Sequence, residues 1–212
     1  MDLIHPLAEA YAEKYSSDED SLLREVAAFT KKNHTESHML SGHLQGKLLE
    51  AISFMLRPKR ILEIGTFTGY SALALAKGLA PEGRLHTIEM REDDARKARE
   101  FFDRSQFSNQ IILHTGSALD ILPTLHEAWD LVFIDADKPA YIEYFNLVLP
   151  NLTENGFILA DNIFFHGQIF EDDVKGKSAK GIQAFNEMIK ARNDIDKVIL
   201  TIRDGLFLIR KR

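Results

Sequence analysis

Ile61-Leu62-Glu63-Ile64-Gly65-Thr66-Phe67-Thr68-Gly69-Tyr70 is the stretch that decides the fold. An apolar run ends in a glycine turn, and Ser71-Ala72-Leu73-Ala74-Leu75-Ala76 then reads as the start of a helix. Strand, glycine-rich turn and helix in that order open a nucleotide-binding βαβ unit. The glycines let backbone approach a ligand closely, and the helix N-terminus presents unpaired N–H groups beside it. Gly65 and Gly69 leave three residues between them, so neither the Gly-x-Gly-x-x-Gly grip on a diphosphate nor a phosphate loop ending in Lys-Ser/Thr is present. The turn suits a nucleoside-type cofactor without a pyrophosphate.

Working outward, residues 2–33 read as two short helices broken at Ser16-Ser17-Asp18, with Ser17 or Asp18 capping the second. A third helix from about Ser41 sets Leu44, Leu48, Leu49, Ile52, Met55 and Leu56 on one face and ends at Pro58. After the central stretch, strands expected at 84–89, 110–114, 130–134 and 157–160 alternate with helices at 91–104 and 139–148, as a doubly wound sheet requires. The stretch 91–104 is charged enough to read as an exposed helix. Residues 162–178 show no clear element, the mark of a binding loop or lid, and a helix follows at about 180–191. Val198–Ile202 and Leu206–Ile209 flank Asp204-Gly205, a hairpin signal. The expectation is one domain over 1–212, with N-terminal helices in 1–57 and a Rossmann-like core in 58–212.

The 212 residues suffice for one well-buried α/β domain. A net charge of -6 advertises no basic face for nucleic acid or anionic lipid, and no apolar run reaches membrane-spanning length. The absence of cysteine excludes disulfides, thiolate metal sites and a cysteine nucleophile. The first residues carry Asp2, Glu9 and Glu13 and no apolar segment, so they do not read as a signal peptide, and the cytoplasm is the expected compartment.

In an open α/β sheet ligands sit beyond the carboxyl ends of the strands. The polar residues expected there are Glu63, Glu89, Asp135, Asp161 and Asn162. Glu89 lies twenty positions beyond Gly69, where a carboxylate accepts hydrogen bonds from a ribose diol; the plainer reading is a solvated strand-end charge. If the fourth and fifth strands are neighbours, Asp135 and Asp161 end about 5 Å apart laterally. Two such carboxylates repel unless a proton or a cation intervenes, and with the amide oxygen of Asn162 they make a hard-oxygen set suited to Mg²⁺ or Ca²⁺. Asp and Asn also simply favour loop starts. Lys138, three residues past Asp135, is either a surface charge or an amine whose pKa a nearby cation would lower.

Taken together, Glu63–Ser71, the run Phe133-Ile134-Asp135-Ala136-Asp137-Lys138, and Asp161-Asn162 resemble the cation-dependent O-methyltransferases, the group that includes caffeoyl-CoA and catechol O-methyltransferases and many bacterial relatives. The resemblance runs from about Met39 to the C-terminus. It implies a class I methyltransferase fold, a seven-stranded mostly parallel sheet closed by an antiparallel hairpin. It also implies S-adenosylmethionine as methyl donor, Mg²⁺ (or Ca²⁺ or Mn²⁺) as cofactor, a small phenolic acceptor and a homodimer. Matched by motif, Ser41, Glu63, Gly65, Thr66, Ser71, Glu89, Ala118 and Asp135 would contact the cofactor; Asp135, Asp161 and Asn162 would hold the metal; and Lys138, with Asp135, would act in catalysis.

Two departures bear on the acceptor. Ile163-Phe164-Phe165-His166-Gly167 stands where the plant enzymes carry a Trp-Asn-Gly ending, and nothing matches their coenzyme A contacts, which favours a small catechol. Phe164 and Phe165 are candidate aromatic walls or core residues. His34, His38 and His43 fit no metal spacing and read as incidental. Two other readings share parts of the pattern. A nicotinamide-dependent oxidoreductase would use the same turn and Glu89 but lacks the third glycine. A non-catalytic homologue would have no use for the ligand set or Lys138.

Overall fold

The computed structural model describes residues 3–212. Three helices lead in: α1 (Pro6–Tyr15), α2 (Ser21–Asn33) and α3 (Gly42–Leu56). The alternating core follows as β1 (Arg60–Ile64), α4 (Tyr70–Ala76), β2 (Arg84–Glu89), α5 (Glu92–Asp103), β3 (Ile111–Thr115), α6 (Ala118–Ile121), β4 (Trp129–Ile134), α7 (Tyr141–Val148) and β5 (Leu152–Asp161). It ends with α8 (Lys177–Ala191), β6 (Ile195–Leu200) and β7 (Leu206–Lys211). The strands form one sheet in the order β3-β2-β1-β4-β5-β7-β6, parallel except for β7, which runs antiparallel between β5 and β6. None of the helices among the described residues is long and apolar enough to cross a membrane.

Both faces of the sheet are covered, which is why the central strands are continuously apolar rather than alternating. Leu62, Ile64, Val132 and Ile134 face the core under α7 and α8, while Ile61, Leu131 and Phe133 face the core under α2 to α5. Strand order reverses at β1, which pairs β2 on one side and β4 on the other. A crevice therefore opens at the carboxyl ends of β1 and β4. Gly65 permits the close approach there: its φ is +101°, and a Cβ at that position would lie 2.0 Å from the carbonyl oxygen of Asp135.

Several boundaries differ from the sequence reading. Asp20, not Ser17 or Asp18, caps α2, its carboxylate accepting the Leu23 N–H at 2.8 Å. The buried stripe of α3 runs through Gln45, Gly46, Leu49, Ile52 and Ser53, and Met55 is 75% exposed. Small and polar residues win that seam because Gly46 abuts the Tyr70 ring and the Ser53 hydroxyl donates to the Leu75 carbonyl at 2.6 Å. The charged α5 is half core, burying Ala95, Ala98, Phe101 and Phe102. Strand β5 starts at Leu152, with the expected Asn155-Gly156 turn absorbed into a register shift against β4. Residues 201–205 join β6 to β7, a longer loop than the two-residue turn read from Asp204-Gly205. In the stretch read as featureless, a 3-10 segment spans Phe165–Phe170, and α8 begins at Lys177.

Candidate active site

A cavity of about 430 Å³ occupies the crevice. Ser41, Gly65, Thr66, Ser71, Glu89 and Ala118 line one half of it, and Asp135, Lys138, Asp161 and Asn162 line the other. Of the residues matched to cofactor, metal or catalysis, only Glu63 stays behind the wall. It is fully buried, its Oε2 accepts the Thr87 hydroxyl at 2.5 Å, and its Oε1 has no hydrogen-bond partner among the described residues. Burial pushes its carboxyl up to about 8; the Ser71 hydroxyl and then that of Thr87 oppose the rise, and repulsion from Asp135 and Glu89 adds to it.

The Glu89 carboxylate is fixed by backbone. Oε2 accepts the Phe67 N–H at 2.7 Å and Oε1 accepts the Arg91 N–H at 3.0 Å. The end of β2 and the glycine turn after β1 are thus tied together, with a carboxylate facing the cavity. Gly116 and Ala118 continue the wall past β3, where the Gly116 N–H donates to the Glu89 carbonyl at 2.8 Å.

Strands β4 and β5 pair in parallel, so the other half forms as the strand-end logic requires. The three donors of the Lys138 ammonium are all spent: on Asp135 Oδ1 at 2.9 Å, Asn162 Oδ1 at 2.8 Å and the Tyr141 hydroxyl at 2.7 Å. Burial pulls the lysine pKa down, but Tyr141, Asp135 and Asp161 together move it upward, so with these partners it is charged. Asp161 is almost wholly buried and pushed up to about 6 by burial and by Asp135, with Lys138 and Gln45 opposing. Among the described residues no group of three His, Cys, Asp or Glu side chains could hold a metal ion. The oxygen set here has two carboxylates and is completed by the Asn162 amide. Its fit to a cation is visible in the ammonium on which Asp135 and Asn162 already converge.

Four residues escaped the sequence reading. Tyr141 anchors Lys138, and its own hydroxyl donates to the Asp161 carbonyl at 3.0 Å. Tyr144 lines the cavity and donates to Asp137. Gln45 donates to Asp161 Oδ2 at 2.6 Å, and Arg203 donates to the Gln45 oxygen at 2.8 Å. The spacing of Tyr141 and Tyr144 from Lys138, three and six residues on, could have signalled one helical face; nothing local signals Gln45 or Arg203. Phe164 and Phe165 are absent from the cavity wall and pack against the core, while His166 reaches it. His34, His38 and His43 do not converge: each meets a different partner, Asp94, Glu36 and the Ser17 carbonyl.

A seven-stranded sheet in this order, with its cavity at the β1/β4 switch point, is the architecture of the Rossmann-like class I methyltransferases. The chain belongs to the O-methyltransferase family, whose model matches residues 13–212. It is 38% identical over 160 residues to a catechol O-methyltransferase of Niastella koreensis, covering 74% of this chain and 72% of that one. It is 30% identical to a probable caffeoyl-CoA O-methyltransferase of Dictyostelium discoideum, covering 95% and 90%. Among solved structures, the O-methyltransferase TomG of Streptomyces achromogenes, in complex with S-adenosylmethionine, superposes with a TM-score of 0.89 at 31% identity over 97% of this chain and 96% of that one. Family membership decides between the two enzyme readings in favour of methyl transfer.

Proposed function

We propose that this chain moves the methyl group of S-adenosylmethionine to one of two vicinal hydroxyls on a small phenolic, with a divalent cation held by Asp135, Asp161 and Asn162. The observation that carries the reading is the meeting of Asp135 Oδ1 and Asn162 Oδ1 on a single positive charge within 3 Å, beside the Gly65 turn. Hard oxygen donors of this kind favour Mg²⁺, with Mn²⁺ or Ca²⁺ as substitutes. A bound cation there supplies the Lewis acidity that lowers the pKa of a chelated hydroxyl.

The chain's own groups supply the rest. The N–H groups of the turn, with Gly65, Thr66 and Ser71, hold the amino-acid end of the methyl donor, with Ser41 opposite. Glu89, already fixed at the cavity edge, accepts the ribose hydroxyls, and Ala118 lies against the base. Glu63 braces the turn from behind through Thr87. Lys138 Nζ, charged among its present partners, holds the charge on the acceptor oxygen, or takes its proton where a bound cation lowers the lysine's pKa, and Tyr141 aims it. Holding donor and acceptor at one switch point supplies the positioning on which a displacement at carbon depends. The similarity to the Niastella enzyme and the want of coenzyme A contacts support a catechol over a coenzyme A ester.

We further propose a homodimer built through the N-terminal helices. In support, α1 buries no residue of its own and leaves Leu7, Tyr11 and Tyr15, spaced by four, more than 60% exposed.

The test is methyl transfer from S-adenosylmethionine to catechol with Mg²⁺, with chelator, and with Asp161→Ala. Turnover that needs both metal and Asp161 is expected. Turnover that survives chelation sinks the metal assignment, and cofactor binding without turnover of any catechol sinks the acceptor class.

A further inference from the structure

The loop between β6 and β7 grips the metal half of the site from two directions. Its Asp204 and Gly205 carbonyls accept the N–H groups of Phe164 and Ile163, and the Asp204 carboxylate accepts the His166 N–H at 2.7 Å. These bonds clamp the chain leaving Asn162. On the other side Arg203 reaches across to the start of α3, where its Nη1 donates to the Ser41 carbonyl and to Gln45 Oε1 at 2.8 Å. A guanidinium only donates, so the Gln45 oxygen must face it and the Gln45 amino group must face away. That amino group meets Asp161 Oδ2 at 2.6 Å, and Asp161 Oδ1 is taken by the Asn162 N–H at 2.8 Å.

Arg203 has a φ of +47°, a region that favours glycine, and its two hydrogen bonds go to neutral oxygens, the Ser41 carbonyl and Gln45 Oε1. A costly backbone conformation thus serves a cation that holds the start of α3 and orients one amide on it. We propose that Arg203 is a positioning residue: acting through Gln45, it fixes the Asp161 carboxylate in the orientation that a metal ligand needs. The proposal rests on the metal reading given above. Outer contacts of this kind orient ligating carboxylates, and their loss weakens metal binding by roughly ten- to a hundredfold.

The experiment measures Mn²⁺ affinity of the full chain by electron paramagnetic resonance, beside S-adenosylmethionine affinity by calorimetry and a melting curve. Arg203→Gly is expected to weaken Mn²⁺ binding about tenfold, with a smaller loss of methyl-donor affinity through the released Ser41 carbonyl, and to melt no lower than the wild type, because glycine suits the backbone there. Gln45→Met, which leaves Arg203 on Ser41, is expected to keep donor affinity. Arg203→Lys recovers part of the loss. Gln45→Met reproduces it, and the double variant is no worse than Gln45→Met alone. Wild-type Mn²⁺ affinity in Arg203→Gly, losses that multiply in the double variant, or a Mn²⁺ loss matched by a fall in melting temperature would each overturn the proposal. A wild-type chain that binds no Mn²⁺ rejects the metal reading and this proposal with it.

Discussion

The two halves of the cavity are built differently. The half lined by the glycine turn is centred on one run of chain, residues 64–71, with Glu89 pinned to it by the Phe67 N–H and with Ser41 and Ala118 at its edges. The half lined by the carboxylates takes its parts from four separated segments: Asp135 and Lys138 after β4, Asp161 and Asn162 after β5, Gln45 on α3 and Arg203 in the last loop. One half is a local motif closed by backbone hydrogen bonds. The other is a charge network that exists only once distant elements have packed. Damage to the first should therefore appear as lost donor affinity, and damage to the second as lost chemistry.

The largest effect is expected where the halves touch. Gly65→Ala drives a Cβ to within 2.0 Å of the Asp135 carbonyl oxygen, backbone against backbone, at a φ of +101°. Neither partner can rotate away, so the β1 turn and the β4 end must separate. A destabilisation of about 3 kcal/mol or more is expected, together with loss of both donor and metal binding. A melting curve and calorimetry check it; a stable Gly65→Ala chain that loses one function alone would show the halves to be mechanically independent.

Lys138→Met addresses the charge network by itself. Methionine fills much of the lysine's volume but releases Asp135 Oδ1 and Asn162 Oδ1. Turnover should fall by about a hundredfold or more with donor affinity intact, while Mn²⁺ binds more tightly for want of a competing ammonium. Weaker Mn²⁺ binding would mean that the lysine shapes the donor set rather than sharing it. Glu89→Ala is the mirror experiment. It should raise the dissociation constant of S-adenosylmethionine by about ten- to a hundredfold, the worth of a charged hydrogen bond, and leave Mn²⁺ affinity alone.

The same contrast governs what the sequence could tell. The β1 turn was readable because its information is local: glycine spacing, an apolar run before and a helix after. Asp135, Asp161 and Asn162 were readable because each sits at a strand end, and strand ends follow from element order; Lys138 stood out only through the family resemblance. Gln45 was hidden on a helix whose apolar residues pointed to another face, since the seam with Tyr70 and Leu75 is made by glycine and serine. Arg203 was hidden because the Asp204-Gly205 signal suggested a tight turn, whereas the five-residue loop gives an arginine room to reach α3. Partners that meet only through tertiary packing leave no period or spacing to find.

Whether the local half is free of charge coupling is a matter of pH. Glu63 is fully buried with its carboxyl pushed up to about 8 from an ordinary 4.5, burial being the main cause. Between those values the unfolded chain is ionised at this position while the folded chain keeps its proton. Stability from this group is therefore present below pH 4.5 and declines as pH rises toward 8, by at most about 1.4 kcal/mol per pH unit. Glu63→Gln removes the ionisation and keeps a side chain that can still accept from Thr87. Urea midpoints measured from pH 5 to pH 8 should show the variant gaining on the wild type as pH rises, with little change in donor affinity at pH 6. Parallel pH profiles would mean that Glu63 is ionised in the fold. The Ser71 and Thr87 hydroxyls would then outweigh its burial.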